Sequence, residues 1–363
     1  MNKIISFPHM SYYYIPIKYI IKNITKCEVL IPESNSPNTV YLGAKYSPND
    51  ICMPFKYNLG NYINSLNRGA NILIQAGGGC RYGYYAELQE QILKELGYKF
   101  KFINLIKNNH FSLIKLYKET KKINKNIFFL EYIYYLIKGF LIILYMDKIH
   151  KYIRENQALS INPQEYKNIF QELKKSYSKD KLTISNIIKI YNNCKKKLVN
   201  IPQKTNNNNI KILIIGELYT VMDSAANNNL ENNLIDSGSI IYRYTDLTYL
   251  LFKKKFAQKK ILKISRKYLK YTLGADGAES VAHAIDHCKK GIDGIIHIKS
   301  YSCVPEINAI PILSQISKDY KVPIMYLSYD GENNIANIDT KIEAFYDMIK
   351  AQKETKNKKK MQK

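Results

Sequence analysis

The chain has 363 residues, 46% of them hydrophobic, and a formal net charge of +25 at pH 7. This length is natural for two domains, and six cysteines in such a chain do not form a disulfide framework, so we expect a reducing, cytoplasmic setting. The lysines are spread along the chain, which argues against a nucleic-acid partner and leaves an anionic small ligand as a fit for the charge. The opening residues 1–7 are too short for a signal peptide and fit a first strand.

The first hundred residues alternate between strand and helix patterns. Apolar runs predict strands at 3–7, 28–32, 71–75 and 100–105. Helical patterns cover 14–24, 54–66 and 84–96, and residues 36–47 resemble a loop with some helix. This alternation predicts a mostly parallel sheet with helices on both faces.

Residues 106–204 lack that alternation and have the pattern of several helices with tyrosine-rich and lysine-rich faces. Within them, residues 127–146 approach the length of a membrane span. Glu131 and Lys138 lie inside this segment, and charges near the middle of a span are costly. We therefore predict a buried helix here, and no membrane partner.

The alternation resumes after an asparagine-rich linker at 205–209. Strands are predicted at 210–215, 239–244, 294–299 and 323–328, and helices at 225–235, 278–290, 307–320 and 339–351, with two more between 248 and 273. The fold class predicted is α/β, with two Rossmann-like lobes of parallel sheets at 1–105 and 205–352. A helical insert, 106–204, joins them, and a charged tail, 353–363, is expected to fray.

Three cysteines lie where such a fold binds ligands, beyond the carboxyl ends of strands or at helix starts. They are Cys52, Cys80 and Cys303. Helix N-termini stabilise thiolates, and thiolates gathered there suit a metal ion or an iron–sulfur cluster. The spacing contains no C-x-x-C pair, and by itself it favours buried thiols over a metal site. The remaining cysteines, Cys27, Cys194 and Cys288, lack glycine or proline neighbours and are expected to be plain thiols.

Two further signals carry less weight. His283 and His287 are spaced i, i+4 and could bind a metal, but a solvated face or a polar contact is the favoured interpretation. Asp236-Ser-Gly-Ser239 is similar to a phosphate loop, yet it follows a helix and precedes a strand, which favours a helix C-cap.

The residues around the three cysteines resemble one family. The stretches 51–60 (ICMPFKYNLG), 75–93 (QAGGGCRYGYYAELQEQIL) and 298–306 (IKSYSCVPE) are similar to the 2-hydroxyacyl-CoA dehydratase family. They look nearest to its stand-alone branch, named as related to the acyl-CoA dehydratase activase. Shorter matches occur at 216–219, 277–280 with His283, 291–294 and 340–345. The resemblance covers roughly 1–105 and 208–350, and the helical middle carries little of it.

The resemblance implies a specific chemistry. Members have two Rossmann-like lobes and hold a [4Fe-4S] cluster through three cysteines, which by matching are Cys52, Cys80 and Cys303 here. One iron is left open, and an ATP-dependent iron–sulfur activase supplies a low-potential electron. The implied reaction is a lyase reaction on a CoA thioester substrate, in which a ketyl radical permits loss of an unactivated hydroxyl group, or alternatively the reduction of an aromatic ring.

The resemblance also suggests roles for neighbouring residues. Gly77, Gly78 and Gly79 would let the backbone approach a bulky cluster. Arg81 and Lys56 would ease its reduction, although a surface or ion-paired role for Arg81 stays open. Glu306 is a candidate proton-transfer group or, alternatively, a carboxylate that stabilises the start of its own helix.

Some features leave alternatives open. Lys341 stands where the family has an arginine, so bidentate contact to phosphate or carboxylate is lost. Known dehydratases pair two unlike subunits, so a second dehydratase-like subunit is a possible partner. A related group carries a double-cubane cluster and reduces small molecules, and a non-catalytic scaffold or electron relay that docks to the activase is a third reading.

Overall fold

The computed structural model describes residues 2–78, 80–107, 110–111, 113–205, 208–329 and 335–361. The chain divides into two compact units, the first formed by 1–149 with 167–200 and the second by 150–166 with 201–363. Each unit contains a four-stranded parallel sheet, which confirms the predicted α/β fold class with two lobes.

The first sheet has the strand order β2-β1-β3-β4, and all of its neighbours are parallel. Its strands are β1 (Ile4–Ser6), β2 (Glu28–Val29), β3 (Ile72–Gln75) and β4 (Lys101–Asn104). A short antiparallel pair that the sequence pattern did not indicate follows, β5 (Ile106–Lys107) with β6 (His110–Phe111).

Helices surround this sheet and form the middle of the chain. They are α1 (Tyr14–Thr25), α2 (Pro37–Tyr46), α3 (Met53–Asn67), α4 (Tyr85–Glu95), α5 (Leu113–Ile123), α6 (Phe129–Asn156), α7 (Pro163–Tyr177) and α8 (Ile184–Val199). The run 36–47, expected to be largely loop, is therefore a full helix. Ser36 caps it by accepting a hydrogen bond from the Thr39 N–H at 3.2 Å, and Pro37 presets its first turn.

Alternating side chains of β3 fill both faces of the first sheet. Leu73 packs with Phe55 and Leu59 of α3 on one face, and Ile72 packs with Ile5 and other apolar residues on the opposite face. Each buried aliphatic side chain of this kind contributes about 1.5–3 kcal/mol to stability. A strand buried on both faces explains why the sequence shows a continuous apolar run instead of alternation.

Helices α2 and α3 pack closely because each has a glycine at the contact. A Cβ on Gly43 would lie 1.8 Å from the Lys56 carbonyl oxygen, and one on Gly60 would lie 2.0 Å from the Thr39 carbonyl oxygen. Neither position has room for a larger residue. The contact fixes the loop between the two helices, which ends at Cys52.

In the described part of the chain, one apolar helix beginning at Phe129 is long enough to cross a membrane, and 39% of its most apolar 18-residue stretch is buried. Two charged side chains of this helix, α6, have partners inside the first unit. Lys138, 5% exposed, lies over the rings of Tyr19 and Tyr134, and Asp147, 3% exposed, accepts a 2.6 Å hydrogen bond from Tyr13. These contacts suit a helix packed against protein.

The second sheet has the order β10-β9-β7-β8 and is also parallel. Its strands are β7 (Lys211–Gly216), β8 (Ile240–Arg243), β9 (Gly294–Ser300) and β10 (Ile324–Tyr329). Its helices are α9 (Leu218–Met222), α10 (Leu230–Asp236), α11 (Lys254–Ser265), α12 (Gly277–Lys289), α13 (Val304–Tyr320) and α14 (Ile335–Met361), with a π-helical turn at Tyr249–Lys253.

Both faces of the second sheet are buried as well. Ile212 and Ile214 belong to the cluster that includes residues of α10 and α14, whereas Leu213 and Ile215 belong to the cluster with α12 and α13. The expectation of a frayed tail from residue 353 is wrong for the described residues, because α14 continues to Met361. Lys353 helps to hold it, donating to the Asp293 carboxylate at 2.7 Å.

Candidate functional site

The first unit places Cys80 at the position where parallel sheets bind ligands. The strand order reverses between β1 and β3, and ligands occupy the crevice beyond the carboxyl ends at such a switch point. Cys80 follows β3 after the glycine run. It is exposed and precedes a 3₁₀ turn, Arg81–Tyr84, where its sulfur accepts the Tyr82 N–H at 3.4 Å.

The glycines before Cys80 have separate reasons to be glycine. Gly77 has a φ of +77°, a left-handed conformation that other residues adopt at a cost. A Cβ on Gly78 would lie 3.0 Å from the Tyr82 ring, so this glycine makes room for an aromatic side chain. Gly79 lies outside the described residues, and the predicted approach of this loop to a cofactor stays a prediction.

Cys52 lies at the start of α3 and is connected to the Cys80 turn through tyrosines. It is half-buried and occupies the N-cap position of α3, whose first turn contains Pro54. Its thiol contacts the Tyr85 hydroxyl. The Tyr85 ring lies 5.0 Å from the Tyr82 ring, and Tyr82 is the residue whose N–H meets the Cys80 sulfur. The structure therefore brings two of the predicted cysteine ligands to neighbouring segments.

The two basic residues predicted near the cysteines lie in the same segments. Lys56 is half-buried in the first turn of α3, four residues after Cys52. Arg81 directly follows Cys80 and is exposed. Each supplies a positive charge close in sequence to one thiol, where a helix or turn N-terminus also favours negative charge.

Gln75 ends the strand that leads to Cys80, and the sequence pattern did not single it out. It is 1% exposed, and its Oε1 accepts a hydrogen bond from the Tyr62 hydroxyl at 3.4 Å. Its Nε2 has no hydrogen-bond partner among the described residues. A buried amide N–H without an acceptor is unfavourable, and the sulfide or thiolate of a cluster could accept a hydrogen bond from it. In that respect the first unit fits an iron–sulfur group.

In the second unit, the strand order reverses between β7 and β9. Gly216 ends β7 with a φ of +131°, and a Cβ there would lie 1.8 Å from the Ile298 carbonyl oxygen. Glu217 follows and caps α9, accepting hydrogen bonds from the N–H groups of Tyr219 and Thr220 at 2.9 and 3.0 Å. Burial raises the pKa of Glu217 to about 6, and its hydrogen bonds offset part of that effect.

Cys303 occupies the matching place after β9. It is half-buried and occupies the N-cap position of α13, whose first turn contains Pro305. Lys299, 7% exposed, lies near it on β9, and burial lowers the pKa of this lysine although Cys303 and Glu306 favour its charge. Lys299 was not among the residues predicted from the sequence. The available signal was a charged residue at the end of an otherwise apolar strand.

Glu306 lies three residues after Cys303, in the first turn of α13, and is 1% exposed. One carboxylate oxygen is 2.7 Å from His297 Nε2, and the other accepts a 3.2 Å hydrogen bond from the Ser280 hydroxyl. These contacts engage both oxygens inside the second unit. They show what holds Glu306 in place, and its predicted proton-transfer role stays a prediction.

Among the residues that the structure describes, no group of three or more histidine, cysteine, aspartate or glutamate side chains is arranged to hold a metal ion. The first unit supplies Cys52 and Cys80, and the second supplies Cys303.

The other cysteines and the histidine pair lie elsewhere. Cys194 and Cys288 are buried, and burial raises the pKa of each thiol to about 11, while Cys27 is half-buried. His287 Nδ1 lies 2.9 Å from the His283 carbonyl oxygen, and burial lowers the pKa of His283 to about 3. The histidines line a cavity of about 390 Å³ beside β8.

These observations define an α/β protein of two parallel-sheet units with thiols at helix starts beyond the strand ends. A family model described as 2-hydroxyglutaryl-CoA dehydratase, D-component, matches residues 101–349. Because the match covers more than half of the chain, the chain belongs to this family. No curated protein matches it.

The extent of the match differs from the extent of the resemblance found in the sequence. The matched region contains Cys303 and also the helical middle, 106–204, where the local motifs show little similarity to the family. It begins after Cys52 and Cys80. The ligand roles of all three cysteines remain predictions from their local motifs.

Proposed function

We propose that the chain is an iron–sulfur component of the 2-hydroxyacyl-CoA dehydratase type, with Cys52, Cys80 and Cys303 as ligands of a [4Fe-4S] cluster. Family membership establishes a dehydratase-type component. The observation that supports the finer proposal is that each of the three cysteines occupies the N-cap position of a helix or helical turn. Such positions stabilise thiolates, which are the ligands that iron–sulfur clusters take.

The chain's own residues would tune and orient this group. Gln75 would donate its unpartnered N–H toward a sulfur, and Lys56, Arg81 and Lys299 would lower the cost of adding negative charge. Glu306 holds the Cys303 loop through His297. When bound, the cluster would pass a low-potential electron to a CoA thioester substrate. Glu306 is also our candidate for moving a proton during loss of the substrate hydroxyl.

A cluster held by three anionic thiolates is difficult to reduce, because added charge must be stabilised in a partly buried place. We therefore propose that an ATP-dependent iron–sulfur activase delivers the electron. The test is an anaerobic assay with the chain, a purified activase and a strong electron donor, with and without ATP. We expect reduction of the chain and turnover of a 2-hydroxyacyl-CoA only with ATP. Equal reduction of the chain without ATP would show that ATP-driven electron delivery by the activase is not needed, and would favour an independent electron carrier.

A further inference from the structure

A strongly basic segment of the second unit has no role in the proposed reaction. Residues 247–275 contain nine lysine and arginine residues and no acidic residue. They include the π-helical turn and α11. Lys254 turns inward and pairs with Asp276 at 2.5 Å. The other basic side chains are all exposed: Lys253, Lys255, Lys259, Lys260, Lys263, Arg266, Lys267 and Lys270.

Large apolar side chains are exposed among these lysines. Phe256 is 84% exposed and Phe252 is 45% exposed, and their i, i+4 spacing places them side by side on the helix. Leu251 and Leu262 are 48% and 38% exposed. We call the exposed basic residues together with these four apolar ones the basic–aromatic surface. A helix normally turns such apolar residues inward.

The inner face of the same segment is firmly attached. Ile261 and Leu269 are 5% and 7% exposed and belong to one cluster with Ala278 and Ala282 of α12. The segment therefore already buries one apolar stripe in the second unit. Phe256, 84% exposed, is additional to that stripe, and the packing of this helix does not account for its exposure.

We propose that the basic–aromatic surface binds an anionic lipid bilayer peripherally, with the lysines at the headgroups and Phe256 inserted at the boundary with the acyl chains. Lysine is depleted at protein–protein interfaces, where arginine is favoured, and here lysine dominates. A fixed helix with lysines beside phenylalanine and leucine is typical of interfacial membrane binding. This partner goes beyond the dehydratase function and revises the expectation of no membrane partner.

The test uses the full chain and lipid vesicles in a flotation assay. We expect the chain to float with vesicles that contain phosphatidylglycerol and not with vesicles of phosphatidylcholine alone. Because the attraction is largely electrostatic, high salt should release the chain. Equal binding to both vesicles, or binding to neither, would overturn the proposal.

Two pairs of variants localise the surface. Replacing Lys255, Lys259, Lys260 and Lys263 with glutamine should weaken vesicle binding by about a hundredfold or more. The matched control replaces four other exposed lysines with glutamine and so removes the same charge. These lie in another acid-free run, 181–216, and are Lys181, Lys189, Lys195 and Lys196. The control should retain most of the binding. An equal loss in both would mean that net charge alone drives the association.

The second pair tests insertion of the aromatic ring. Phe256→Ser should weaken binding severalfold, whereas Phe128→Ser, at a phenylalanine that is 76% exposed elsewhere, should not. All four variants change exposed side chains, and circular dichroism will show that they remain folded. If Phe128→Ser releases the chain and Phe256→Ser does not, the basic–aromatic surface is not the docking site.

Discussion

At the scale of single residues, the buried contact between Glu306 and His297 supports the loop that presents Cys303. Both side chains are at most 1% exposed, and their closest atoms are 2.7 Å apart. Glu306→Ala should lower the free energy of unfolding by about 3–5 kcal/mol, because it leaves a buried polar partner uncompensated. Glu306→Gln, which keeps a hydrogen-bonding group, should cost less. Denaturant unfolding measures both.

The control for this prediction is Glu343→Ala, at an exposed position of α14. Its free energy of unfolding should stay within about 0.5 kcal/mol of the wild-type value. If Glu306→Ala proves as mild as Glu343→Ala, the contact with His297 does not stabilise the second unit.

Glu217 should make stability depend on pH. Burial raises its pKa from 4.5 to about 6, so the folded chain holds this proton more tightly than the unfolded chain. The stabilisation is present at low pH and is lost as pH rises through about 6, amounting to about 2 kcal/mol. The free energy of unfolding of wild type, relative to Glu217→Gln, should therefore fall between about pH 4.5 and pH 7. Parallel pH curves for the two proteins would contradict this assignment.

The sequence indicated some residues of the site and could not indicate others. Cys80 and Cys303 follow apolar strands directly, so their location beyond the strand ends was predictable. Gln75, His297 and Lys299 lie within or at the end of strands. Their contacts depend on which side chains of other helices meet them, and a linear pattern does not contain that information.

At the scale of elements, long apolar runs were the most predictable. The runs at 71–75 and 294–299 became β3 and β9 with ends moved by at most one residue. Helix α9 was missed because five residues hold too little periodicity, and the cap that Glu217 provides was not recognised. Helix α14 was predicted too short, since its lysine-rich end lacks an apolar stripe and resembles a tail.

The contact between α2 and α3 gives a prediction at this scale. Gly60→Ala would place a Cβ 2.0 Å from the Thr39 carbonyl oxygen. Because that oxygen is a backbone atom, the clash is relieved only if the two helices separate. We expect a loss of about 2–3 kcal/mol or more in the free energy of unfolding, measured with denaturant. Gly97→Ala is the control. A Cβ at Gly97 meets nothing within 4 Å, so its cost comes from a φ of +85° alone and should be about 1 kcal/mol.

At the scale of the whole molecule, we predict that the protein is recovered without detergent. Lys138 of α6 lies over the buried ring of Tyr19, and Asp147 accepts a hydrogen bond from the buried Tyr13, which a lipid-exposed span would not provide. Cell fractionation with a high-salt wash distinguishes peripheral binding from a membrane-spanning helix, because salt should release the peripheral association proposed for the basic–aromatic surface. Recovery only in detergent would show that α6 spans a membrane.

The central claim is that three thiols of this chain hold one cluster, and iron counting after anaerobic purification tests it most directly. We predict about four irons and as many sulfides per chain, and loss of most iron when Cys52, Cys80 or Cys303 is replaced by serine. The same change at Cys27, Cys194 or Cys288 should leave the iron content near the wild-type value. About eight irons per chain would favour a double-cubane cluster. A wild-type chain without iron, or iron that depends on the second trio instead of the first, would contradict the account.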